Sequence, residues 1–190
     1  MILSTLLVQL SLIFFEALSV TSMGDSMLGP GLWRVVSVGP CEQQLDMTLD
    51  VVRRKVNRTH DGFTAKLTTD EEIDDSFGLR VDICKHVDGG CKPYQVLADE
   101  SLPRYVQKYA ADNARDFLGA AGLDPPDFPI PKGEHVVKNY VFDYSELPED
   151  GIYGEFGADA YIVKEEKDIA CLHLDLEYKE KEEEDDDDEE

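Results

Sequence analysis

Four histidines, four cysteines and 41 acidic residues are the side chains with the widest chemical reach in this chain of 190 residues. His60, His86, His135 and His173 are scattered, His60 in a turn and His173 on the polar side of an alternating segment. Hydrolysis needs a nucleophile beside a base, a metal set, or paired carboxylates in a cleft. The sequence holds no Gly-x-Ser-x-Gly, no His-Glu-x-x-His and no glycine-rich phosphate loop. "TTDEEIDD" at 68–75 and "DGG" ahead of Cys91 could draw calcium, but neither has the spacing of a calcium-binding loop. The expectation is a protein that is not an enzyme, with no catalytic residue, no cofactor and no metal.

Cys41, Cys84, Cys91 and Cys171 lack the paired Cys-x2-Cys spacing of a zinc site. An even count in a secreted chain predicts two disulfides, with three pairings open. Secretion is expected from "MILSTLLVQLSLIFFEALSVTSMG", apolar from Ile2 to Phe15 and followed by small residues. It reads as a signal peptide over residues 1–22, cleaved near Ser19 or Ser22, and is shorter than a bilayer span. "NRT" makes Asn57 a glycosylation acceptor at a hairpin tip.

The elements that must position these groups read mainly as strands. "LWRVVSV" (32–38) is strand-like. "LDMTLDV" (45–51) alternates Leu45, Met47, Leu49 and Val51 against Asp46, Thr48 and Asp50, the period of a half-buried strand. Asp61-Gly62 reverses the chain into "FTAKL", completing a hairpin. "FGLRVDIC" places Leu79, Val81 and Ile83 on a further strand.

Leu102, Tyr105, Val106, Tyr109, Asn113 and Phe117 then recur at three and four residues. That spacing predicts one amphipathic helix capped by Ser101, its stripe packed on a sheet. "LDPPDFPIPKG" is a stiff, extended entry into "EHVVKNYVFDY", a strand expected to be buried on both faces. Leu147-Pro148 is read as turning the chain back into "IYGEFGADAYIV", the two strands forming one wall. "IACLHLDLEY" closes the fold, with Leu172, Leu174, Leu176 and Tyr178 on one face. Residues 23–178 thus read as one mainly β domain of seven to eight antiparallel strands with one inserted helix, a cup or open sandwich.

The net charge of −23 excludes nucleic acid as a partner and simple adsorption to anionic membranes. The tail over 179–190, "KEKEEEDDDDEE", contributes −8 and is expected to be disordered. What remains is apolar surface beyond what chemistry requires. A sheet that closes imperfectly leaves an apolar cavity, and each lipid CH₂ buried there gains about 0.8 kcal/mol.

Specific stretches resemble a known family. "CKHVDGGC" is similar to a short disulfide loop of the ganglioside activator proteins, and "FPIPKGEHVVKNYVFDYSELPEDGIYGEF" resembles a segment shared with their insect CheB-type relatives. "DIACLHLDLEY" resembles the closing strand, and the similarity runs from about Trp33 to Tyr178. The resemblance implies a β-cup that takes up lipids or other hydrophobic small molecules, with chemosensation as one setting and a membrane surface or receptor as a further partner. It also implies the pairings Cys41–Cys171 and Cys84–Cys91. No cysteine accompanies Pro129, which is flanked by Phe128 and Ile130, so the family's extra disulfides are missing. Met47, Leu49, Val81, Phe117, Tyr140, Phe142, Phe156, Tyr161 and Leu174 are the expected cavity wall. The alternative function is an extracellular interaction module that engages a basic partner or receptor through its acidic surface and tail.

Overall fold

The computed structural model describes residues 28–43, 45–56 and 60–181. The expected leader, Asn57 and tail residues 182–190 lie outside them. Among the described residues nine strands and two α-helices form: β1 (Leu28–Pro40), β2 (Thr48–Lys55), β3 (Asp61–Thr69), β4 (Phe77–Val87), β5 (Gly90–Asp99), α1 (Leu102–Tyr109), α2 (Ala111–Ala120), β6 (Gly133–Val141), β7 (Asp150–Ile152), β8 (Gly154–Lys164) and β9 (Lys167–Glu180). The protein is mainly β, as the alternating segments predict.

Every strand pair is antiparallel. Six strands, ordered β5-β4-β8-β9-β1-β7, make a curled half-barrel, and β2-β3-β6 make a second sheet. Directly opposed residues of an antiparallel pair share one side of the sheet, and neighbours along a strand alternate sides. Val81, Ala160 and Leu172 therefore stand on one face, as do Ile83, Ala158 and Leu174. Asp82, Asp159 and His173 stand on the other, with Arg80, Tyr161 and Cys171.

The first face looks inward. Leu79 and Ile162 from it, and Leu67 from β3, pack on one buried cluster of Ile73, Phe77, Leu102, Leu118 and Ile130. Ile73 and Ile130 also bridge as backbone partners. This core sits where the helices cover the ends of β4 and β8. Elsewhere the two sheets are joined by the Met47 N–H donating to the Ile169 carbonyl and by Arg53 Nη1 donating to the Val36 carbonyl at 2.8 Å.

Both disulfides implied by the resemblance are formed, Cys41–Cys171 and Cys84–Cys91. The first joins the residue just beyond β1 to β9. The second straddles the β4–β5 hairpin, whose turn runs through Gly89 and Gly90 at φ of 92° and 109°, backbone that favours glycine. "DGG" is thus the turn of a hairpin.

Several expectations need correction. The predicted single helix is two, broken at Ala110 (φ −156°, ψ 47°). Ser101 caps α1 as predicted, accepting from Arg104 N–H at 3.2 Å. The break lets α2 turn onto β6, where buried Asn113 is anchored. β6 is buried on one face only: Val137 is 2% exposed, whereas Val136 and Val141 face solvent. Leu147-Pro148 does not fold the next strand back beside β6. It carries the chain across to the other sheet, so β6 and β8 lie in different walls. β1 begins at Leu28 rather than Leu32, and β9 runs to Glu180, two residues into the expected tail.

Candidate ligand-binding interior

The inward faces of the two sheets are aliphatic because their strands alternate. On the larger sheet Val38, Val81, Ile83, Leu97, Ala160, Leu172, Leu174 and Leu176 form adjoining rows. On the smaller, Leu49 opposes Leu67 and Val51 opposes Ala65. Ala65, Ala158 and Val137 are fully buried, while Leu49, Val51, Val81, Ile83, Leu172, Leu174 and Leu176 remain half-buried.

The nine expected wall residues fall into five places. Met47, Leu49, Val81 and Leu174 lie on the inward faces, Met47 against the buried cluster. Phe117 of α2 meets Tyr140 of β6 edge-on, with ring centroids 5.4 Å apart. The Phe142 ring lies 5.2 Å from that of Tyr144 at a tilt of 60°, just beyond β6. Phe156 is 2% exposed, enclosed by Trp33 at 5.7 Å and Tyr94 at 5.5 Å.

Tyr161 is the misplaced one. It opposes Arg80 on the outward face, and the Arg80 guanidinium lies 4.3 Å from its ring centre. Residues 156 and 161 are an odd number apart, so an unbulged strand cannot point both inward. Val38, Leu97 and Ala160, which do point inward, were not in the predicted set. Their signal is the register with β4 and β9, which one strand's own alternation does not reveal.

Polar groups close the interior near β3. Asp61 is 1% exposed and faces Arg53 Nη2 at 2.9 Å and Lys55 Nζ at 3.6 Å. The Tyr144 hydroxyl lies 3.5 Å from its carboxylate and also accepts from the Val35 N–H at 3.4 Å. Burial pushes the Tyr144 hydroxyl up to about 12, and the same cause pushes Tyr140 up to about 12. Both stay neutral at ordinary pH. Tyr140 donates to Asn113 Oδ1 at 2.7 Å, and Asn113 Nδ2 donates to the Asp143 carbonyl at 2.8 Å. These networks tie α2 and the segment beyond β6 to the smaller sheet.

A separate cleft of about 240 Å³ opens between α1, α2 and the proline-rich loop, lined by Val106, Ala114, Leu118, Pro125, Pro126 and Phe128 among others. None of the nine expected wall residues lines it.

On the outward face the Ser37 hydroxyl donates to the Asp175 carboxylate, not to an imidazole. Cys41, Asp159 and Cys171 lie close together, but both cysteines are spent in their disulfide and offer no thiolate. Among the described residues, no helix is long and apolar enough to cross a membrane. The chain matches no family model and no curated protein.

Proposed function

We propose that this protein is a non-enzymatic carrier or presenter of lipids or other small hydrophobic molecules, acting outside the cell. The observation that carries the reading is the partial exposure of the inward aliphatic rows. In a filled sandwich, residues such as Val81, Ile83, Leu172 and Leu174 lose nearly all their exposure to the facing sheet. Here they stay half-buried although they point into the fold. An acyl chain laid along them would gain about 0.8 kcal/mol per CH₂ removed from water. Val136, Val52 and Val141 are exposed on the outward side of the smaller sheet, where they would suit approach to a membrane surface or receptor.

Two disulfides support an oxidising route. Residues 1–22 would act as the cleaved leader and Asn57 as a glycan site. The resemblance to ganglioside activator and CheB-type proteins belongs to this same proposal.

The test is uptake of a fluorescent fatty acid and extraction of a labelled lipid from vesicles by the oxidised protein. Leu174→Glu should abolish uptake by placing a charge in the apolar row. Val81→Trp should block it by filling the space with apolar mass, and Tyr161→Ala should leave it unchanged. Folded, oxidised protein that takes up neither probe would overturn the reading.

A further inference from the structure

The inward face of the larger sheet changes character along β4. Leu79 packs on the buried cluster at the helical end, Val81 and Ile83 continue the aliphatic rows, and Lys85 comes next on the same side. Pairing across the sheet puts Lys85 in one row with Lys92 of β5, Phe156 of β8 and Leu176 of β9. Lys85 and Lys92 are thus directly opposed, two positive side chains where the rows end away from the helices.

Directly opposed like charges destabilise an antiparallel pair. The chain has 41 acidic residues against 18 lysines and arginines, so carboxylate partners are plentiful. Among the described residues neither lysine of this pair is ion-paired, whereas Lys55, Lys66, Lys164, Lys179 and Lys181 each are. A negative group from outside the chain would relieve the pair.

The surroundings suit the head of an amphiphile. The Lys85 ammonium lies 5.7 Å from the centre of the Phe156 ring, which Tyr94 and Trp33 flank at 5.5 Å and 5.7 Å. Trp33 is held by its indole N–H, which donates to the Pro148 carbonyl at 3.1 Å. The Lys85 stem crosses β8 over Gly154, where an added Cβ would lie 3.1 Å from Lys85 Cε. Gly154 has a φ of 143°, backbone that favours glycine. Lys85 is half-buried and Lys92 exposed, so the pair grades from the apolar rows to solvent. An ammonium beside apolar surface makes charge-assisted hydrogen bonds that strengthen as water is excluded. A chain of −23 repels an anion at long range, so local positive charge must hold it. A tail running from Lys85 back past Ile83 to Val81 would cover about 13 Å of strand.

Resting on the carrier reading above, we propose that the ligand is an amphiphile with an anionic head, a carboxylate or a phosphate ester. Lys85 seats the head, Lys92 adds the second positive charge, and the tail follows Ile83, Ala158 and Leu174 inward. A neutral head is selected against, because it leaves the two ammonium groups facing each other uncompensated.

Titration calorimetry of the oxidised chain, carrying its acidic tail, compares three probes with the same tail: dodecanoate, dodecyl phosphate and dodecanol, each below its aggregation concentration. At least one anion should bind about tenfold tighter than dodecanol, and the tighter of the two identifies the head. Lys85→Gln should remove that margin and leave the dodecanol affinity unchanged. Lys92→Gln should narrow the margin, and Lys85→Arg should keep it. Circular dichroism checks that these substitutions leave the fold intact. Dodecanol binding as tightly as both anions would overturn the anionic head and leave the carrier reading standing. A margin that survives in the Lys85→Gln/Lys92→Gln double variant would do the same to the lysine seat. Absence of binding by all three probes would instead remove the carrier reading, and this inference with it.

Discussion

Asp61 shows how much a single side chain can hold. It is buried where β3 begins and meets Arg53, which itself reaches across to the Val36 carbonyl of the other sheet. Removing one partner of a buried pair strands the other charge, at a cost of about 3–5 kcal/mol. Arg53→Ala should therefore lower unfolding free energy by about 3 kcal/mol, the low end because the guanidinium keeps some solvent contact. Chemical denaturation would measure it, and a loss below about 1 kcal/mol would remove the pair from any structural role. Acid should act on other carboxylates. Hydrogen bonds from Ser37, from Arg104, from Ser76 and from Ser145 hold Asp175, Asp99, Asp74 and Asp143 below their ordinary value. Groups depressed in the folded state contribute stability above their unfolded value and lose it as pH falls through the folded one. Melting temperature should therefore drop below about pH 4, the ordinary aspartate value. At this scale parity was legible for Leu49, Val81 and Leu174. Tyr161 lies five residues from Phe156 on β8, and that odd spacing puts it on the opposite face.

The break between α1 and α2 makes a point about elements. The apolar stripe from Leu102 to Phe117 is continuous in sequence, so spacing alone predicts one helix. Asn113 overrides it. Its side chain binds the Tyr140 hydroxyl, the Asp143 N–H and the Asp143 carbonyl, fastening α2 to the end of β6. Asn113→Ala would leave several buried groups unpaired and should destabilise by about 2–3 kcal/mol. Hydrogen exchange should accelerate in α2 and beyond β6 while β8 and β9 stay protected. Strands with clear alternation were readable, among them β2, β4 and β9. β5 was missed because Pro93 and its mostly exposed side chains weaken the pattern, and its place depends on pairing with β4. The assignment of β6 and β8 to one wall failed for a related reason. A proline turn shows that the chain changes direction, but not which sheet receives it.

At the scale of the whole molecule, closure comes from ties between distant segments. Cys41–Cys171 spans 130 residues and Cys84–Cys91 only 7. In the chain-entropy account the longer loop stabilises by about 5 kcal/mol and the shorter by about 2.5 kcal/mol. Replacing both cysteines of the long tie with serine should therefore cost about twice as much as replacing those of the short one, measured by urea unfolding. Net charge works the other way. At −23 the folded chain repels itself, so raising ionic strength to about 0.5 M should raise the melting temperature by screening. The mainly β class was readable from alternation and turn residues. Inward partial exposure was not, because it depends on how far apart two sheets stand.

The antiparallel pairing of β1 with β9 sets Gly31 against Glu180, so the first and last described strands have their free ends side by side. The buried cluster and its helices lie at the other extremity, beside the start of β9 and the finish of β8. Tethering the domain to a bead through Leu28 or through Glu180 would thus present the same helical pole to the surrounding fluid. A short peptide linker could also splice Glu180 to Leu28 and allow new ends to be opened at the Gly89-Gly90 bend.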